Sequence, residues 1–369
     1  MQYTRIWGHV ALAGLLGAPL GLAADPHSTE LVNHCASRAT AFLESLGSDQ
    51  RALAGQPFDE AKRRIWSYGP NVLPFTLRAE GVALKDMSAA QRITAHRLLE
   101  CGLSSQGYQK TTAIMALDNI LAQTDLYRSD DPDNQPPFGS SHYWLAVFGE
   151  PGGTEPWGWQ YEGHHLTLNF TVVDNEILYA PTFMGADPAE VQDGDRAGWR
   201  ILGSEVDKGL LLINSMTAKQ RDQAILADEI PPNASTGRPG KGDALTDYEG
   251  LPVAQLDADQ LLLFWSLVEE YVGNSNDVIA RAHYAAIQAD GAQNLYFAWM
   301  GPTTAGSGIY YRIHGPSLLV EFVTARNRQS STLEPNPNHV HTIFRYPGKD
   351  FGDDPLQRHY ANSPHHQDP

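Results

Sequence analysis

The chain has 369 residues and a net charge of −17, with 26 basic against 43 acidic side chains. Such a surface repels phosphate backbones and anionic lipid, whose binding relies on Lys and Arg releasing counterions, so nucleic acid is excluded as a partner. Hydrophobic residues make up 42% and charged residues 19%, which allows a sizeable core and argues against a disordered chain.

In chain order, residues 1–24 read as a cleavable signal peptide. Arg5 gives a positive start, Val10 to Leu22 is uncharged and rich in Ala, Leu and Gly, and Ala23-Ala24 closes the segment before Asp25. The apolar run of about thirteen residues falls short of the roughly twenty that span a bilayer. The expectation is an exported protein, periplasmic or extracellular, with no stable membrane insertion after cleavage. Residues 25–369 are expected to form a single domain.

Residues 29–125 read as helical. Leu31, Val32, Cys35, Ala39, Phe42, Leu43 and Leu46 recur at helical spacing and stop at Gly47. Ser88 with Gln91 has the form of a capping box ahead of Ile93, Leu98, Leu99 and Leu103. A third helix is expected from Gly107 to Ala122. Cys35 and Cys101 fall in this section; in an exported protein they can close a disulfide, whereas in a reducing compartment they would be buried thiols. His96 has no partner histidine at helical spacing and is read as packed or solvent-facing.

Ser129 to Phe138 is polar and Pro-rich, a loop. Strands are expected over 142–183, as His142–Phe148, Gln160–Val173 and Glu176–Phe183, with a hairpin turn at Asp174-Asn175. Residues 189–289 form a second helical section, clearest from Asp257 to Gly273, with an exposed loop over Pro231–Asp247. Strands return over 295–346, with a turn at His314-Gly315-Pro316. Separate runs of helices and antiparallel strands define an α+β fold, in which the middle strands pair with those near the end. No internal repeat is visible.

Six of the 14 histidines lie on or beside these strands: His142, His164, His165, His314, His339 and His341. In His339-Val340-His341 the two imidazoles share one face of a strand and can meet one ion while Val340 packs behind. His164 and His165, as neighbours on one strand, would point to opposite faces, so one of them joins; the pattern does not say which. Three neutral imidazoles suit zinc or copper. Glu321, in an apolar strand, is the candidate further ligand or general base, or else a polar residue paired with Arg312. A competing constellation is Trp157 and Trp159 with Glu150, Glu155 and Glu162, which together could hold and cleave a sugar. In a third reading the histidines are structural and the protein binds without catalysis. His365-His366 is read as a frayed tail.

The segments Leu103-Ser104 with Gly107-Tyr108, Gly163-His164-His165, Tyr310-Tyr311-Arg312 with Gly315-Pro316, Asn338-His339-Val340-His341-Thr342, and Asp350-Phe351-Gly352 with His359-Tyr360 resemble a bacterial family, domain-of-unknown-function family 3500. The resemblance runs from Ala41 to Tyr360 and implies membership without implying a reaction. Val323-Thr324-Ala325-Arg326 departs from the Asp-Asn pair that continues the Glu321 strand in relatives. The residues themselves lead to an exported metal-dependent enzyme, hydrolytic with zinc or oxidoreductive with copper, acting on an unidentified small molecule or sugar.

Overall fold

The computed structural model describes residues 26–69, 79–124, 139–326 and 334–362. The leader, the loop Ser129–Phe138 and His365-His366 lie outside these residues. Helices α1 (Pro26–Ser45), α2 (Ser48–Ala54), α3 (Glu60–Arg63), α4 (Ala89–Gly102) and α5 (Ser105–Leu121) fill the N-terminal part, interrupted by the short strands β1 (Gly55–Gln56) and β2 (Val82–Ala83). Strands β3 (Tyr143–Phe148), β4 (Trp157–Gly163), β5 (Leu166–Val173) and β6 (Glu176–Ala186) follow. Then come α6 (Gly203–Ser215), α7 (Ala218–Ala224), β7 (Ile225–Ala227), β8 (Leu251–Pro252), α8 (Ala258–Val272) and α9 (Asp277–Ala289). The chain finishes with β9 (Tyr296–Met300), β10 (Tyr310–Gly315), β11 (Leu318–Arg326), β12 (Pro335–Arg345) and α10 (Asp353–Asn362). The fold is α+β.

All twelve strands join one sheet in the order β1-β3-β4-β5-β6-β12-β11-β10-β9-β7, with β2 also on β3 and β8 also on β9. Strand side chains alternate between two environments. Trp159, Leu168, Tyr311, Val320 and Val340 pack against the helices in the main core. Phe183, Tyr310, Val323 and Ile343 face the other way and are covered by Trp66, Ala234 and Phe351. Cys35 and Cys101 form a disulfide that ties α1 to α4.

Strand boundaries differ from expectation at several places: β4 starts at Trp157 and not Gln160, and β6 runs to Ala186 and not Phe183. The stretch Gln160–Val173 is two strands, because Gly163 pairs with Leu166 and leaves His164-His165 as the loop. His165 takes a left-handed φ of 59°, and no Asn-Gly or Asp-Gly announces the turn. The turn expected at His314-Gly315-Pro316 falls on Pro316-Ser317, since Gly315 still pairs with Leu318. At Asp174-Asn175 both residues have positive φ, 49° and 63°, as a two-residue hairpin of the favoured hand requires. The loop after Pro231 is not wholly exposed: Ala234 and Thr236 are buried where they cover the sheet.

A repeat emerges that the sequence did not show. The succession α1-α2-β1-β2-α4-α5-β3-β4-β5-β6 recurs as α6-α7-β7-β8-α8-α9-β9-β10-β11-β12, with α3 and α10 outside it. Pairings recur too: β1 on β3 and β7 on β9 are parallel, while β2 on β3 and β8 on β9 are antiparallel. Gly81 and Gly250 both have φ +102°, and a Cβ on either would meet the carbonyl oxygen of Leu145 or Phe297 at 2.2 or 2.3 Å. Gln91 and Gln260 each cap their helix and donate from Nε2 to a serine carbonyl, Ser45 or Ser215, at 3.0 Å. The halves meet reciprocally. Ser104 N–H donates to Asn274 O at 3.0 Å and Asn276 N–H to Gly102 O at 2.9 Å, while β6 pairs antiparallel with β12 at the centre of the sheet.

Candidate metal centre

The site lies where the two halves join. The β4–β5 hairpin loop supplies His165, whose N–H donates to Tyr68 O at 2.8 Å and whose carbonyl accepts from Gly185 N–H at 2.7 Å. Strand β12 supplies His339 and His341, both on the face away from the helices. The register sets Gly185 directly across from His341. A Cβ at Gly185 would stand 3.1 Å from His341 Cδ2 and 3.2 Å from His165 Cδ2, so a bare backbone gives both rings their room.

The three Nε2 atoms converge. His339 lies 2.9 Å from His341 and 3.0 Å from His165, and His341 lies 3.4 Å from His165. A neutral imidazole nitrogen is either donor or acceptor, so in a triangle at least one contact sets like against like. One cation shared by three lone pairs removes that conflict. A tetrahedral ion about 2.0–2.1 Å from each nitrogen would space its ligands by ~3.3 Å, close to the separations seen. Among the described residues these three histidines form the group able to hold a metal ion.

Neighbouring residues fix the protonation this requires. Asn233 Oδ1 accepts from His341 Nδ1–H at 2.9 Å, and Asn233 Nδ2 donates to the Tyr68 hydroxyl at 3.0 Å. With its proton on Nδ1, His341 turns a lone pair at Nε2 toward the centre. Asp187 Oδ2 lies 3.9 Å from His339 Nδ1, and burial pushes its pKa up to about 6. Burial, reinforced by the neighbouring histidines, holds His165 well below the ordinary imidazole range and keeps it neutral. Tyr68 stacks on Phe183 at 3.8 Å, and both rings stand edge-on to His341.

The remaining candidates sit elsewhere. His164 stacks on His165 at 3.8 Å but directs Nδ1 to Asp118 Oδ1 at 2.7 Å. Glu321 is fully buried, and its oxygens accept from Ser235 N–H at 2.8 Å, Thr236 N–H at 2.8 Å, Thr236 Oγ1 at 2.5 Å and Tyr310 OH at 2.9 Å. It is not one of the converging group. Trp157 and Trp159 are buried in the helix-side core, Trp159 stacked on Phe170 at 4.4 Å, so neither offers an indole face to a sugar. His142 precedes β3, His314 meets Tyr248 edge-on, and His96 bonds Tyr108 OH at 3.0 Å. Asn233, Tyr68, Asp187 and Gly185 escaped sequence reasoning because no local sequence pattern links them to the three histidines, which only the folded sheet brings beside them.

The family model described as Protein of unknown function (DUF3500) matches residues 28–353. The chain belongs to that family. No curated protein and no solved structure matches it.

Proposed function

We propose that this is an exported metalloenzyme whose zinc or copper ion is held by His165, His339 and His341. The convergence of three Nε2 atoms within 3.4 Å carries the reading. The leader-like first 24 residues and the Cys35–Cys101 disulfide support export. A bound zinc would supply Lewis acidity for hydrolysis, and a bound copper one-electron chemistry. The chain's own part is to present three neutral imidazoles, with Asn233 setting one tautomer and Asp187 beside another ring. No fourth protein ligand joins the group among the described residues, which suits a position kept for water or substrate. Glu321 acts as the anchor of the 235–236 loop on this reading.

Elemental analysis of the protein purified after export, beside a His339→Ala/His341→Ala variant, tests it. Near-stoichiometric zinc or copper in the parent, absent from a variant with unchanged circular dichroism, is the expected result. Sequencing the exported chain should find a start near Asp25. A metal-free parent that takes up neither ion at micromolar concentration would overturn the metal site. An intact N-terminus on exclusively cytoplasmic protein would overturn export.

A further inference from the structure

A cleft of about 780 Å³ lies away from the histidines, between α5 and the segment leading into α6. Its origin is a difference between the two halves. Helix α1 has 20 residues and its counterpart α6 has 13, although the two end at the equivalent residues Ser45 and Ser215. The shorter copy lacks about 10 Å of helix at 1.5 Å per residue, and the cleft opens at its N-terminus.

The floor of the cleft is also where the halves differ chemically. Cys35 lies ten residues before Ser45 and Cys101 ten after Gln91; the same steps from Ser215 and Gln260 reach Glu205 and Glu270. Where one half has a disulfide, the other has two buried carboxylates. Lys110 joins them, 2.9 Å from Glu205 Oε1 and 2.7 Å from Glu270 Oε2, and Lys208 reaches Glu270 Oε1 at 2.5 Å. The second oxygen of Glu205, a residue 1% exposed, is buried and accepts no bond from any described side chain or backbone group. Buried charges with an unmet acceptor are a costly replacement for a disulfide, and such a sacrifice of stability is characteristic of a site.

The mouth carries two guanidinium groups, Arg196 and Arg200, the second already paired with carboxylates. The guanidinium of Arg200, paired with Asp207 and Glu190, packs against Gly203, the first residue of α6. Leu202 at the N-cap gives the first-turn amides no side-chain bond, so this helix end favours an anion. Arg196 lies over the Trp199 ring at 4.9 Å, and Trp199 and Ala113 also line the cleft.

We propose that this cleft binds a small zwitterion, an amino acid or related molecule. Its ammonium donates to Glu205, its carboxylate meets Arg200 and the α6 N-terminus, and its side chain lies along Trp199. The volume falls within the usual range for small-molecule sites, roughly 300–1,000 Å³.

The test is calorimetric titration of the intact exported protein with glycine, leucine, glutamate and lysine, beside butylamine and butyrate. Saturable binding of at least one amino acid, with the single-charge probes at least tenfold weaker, is expected. Glu205→Gln should weaken it tenfold or more, and Ala113→Trp should abolish it by filling the cleft; both variants should keep the metal content of the parent. If no amino acid binds at 10 mM, or if a folded Glu205→Gln or Ala113→Trp variant binds as the parent does, the proposal is wrong. Binding of butylamine or butyrate as tight as the amino acids would equally refute it.

Discussion

At the level of single residues, the geometry around His341 separates holding a ring from binding an ion. Asn233 places the His341 proton on Nδ1 through a 2.9 Å bond. Asn233→Ala is expected to lower metal affinity by about 10–100-fold with the fold intact, measured by competition with a chelator of known affinity. Gly185→Ala should do the same by a different route, because its Cβ would press on His165 and His341 together. Unchanged affinity in both variants would mean that the rings are held by something else. His283 gives a pH dependence remote from that site. It is buried, its Nε2 lies 2.6 Å from Ser317 O, and burial pulls its pKa down to about 4. The unfolded chain binds that proton near pH 6.5, so stability is full above that value and is lost as the pH falls toward 4. The loss amounts to roughly 3 kcal/mol over the window. Urea unfolding between pH 7.5 and pH 4.5 should show a shallower slope in His283→Gln than in the parent.

At the level of elements, the pair Gln91 and Gln260 gives an internal control. Each closes a capping box and bonds a serine carbonyl at the end of the preceding long helix. Alanine at either position should cost about 1–2 kcal/mol, and the two costs should be similar; widely different values in chemical unfolding would argue against equivalent roles. Much of this level was legible in the sequence. The box at Ser88-Gln91 and the turn at Asp174-Asn175 rest on local chemistry that tertiary context rarely overrides. The shared face of His339 and His341 follows from the two-residue period of a strand. His165 was not resolved, because its neighbours alternate as though one strand ran through, and only the pairing of Gly163 with Leu166 exposes the turn. Trp157 and Trp159 misled for a related reason: an aromatic pair after a Gly/Pro-rich turn looks the same whether it meets a ligand or a core.

At the level of the whole molecule, the two halves share one sheet and contribute unequally to the triad, one histidine from the first and two from the second. The repeat was invisible because little beyond topology persists: Glu80-Gly81 with Gln91 and Glu249-Gly250 with Gln260 match, while buried positions such as Ala95 and Cys101 in the first half are Phe264 and Glu270 in the second. Cutting the chain in the exposed stretch 192–198, which connects the halves, makes the division testable. Each half alone would bare the β6 or β12 edge at the middle of the sheet and is expected to aggregate or remain unfolded. Co-expressed, the halves should copurify and recover the metal content of the intact chain. A half that folds alone and binds the ion without its partner would contradict a site built across the junction.

His165 and His339 are separated by 174 positions along the chain. No ribosome-bound fragment lacking β12 can therefore assemble the triad, and an unfolded precursor has no preformed site to load. On the proposed export route, the polypeptide would cross the membrane before its ligands come together. The ion would then be drawn from whatever pool bathes the chain when folding finishes, and metal supply at the destination, more than intrinsic preference among imidazole-binding ions, would decide the occupant.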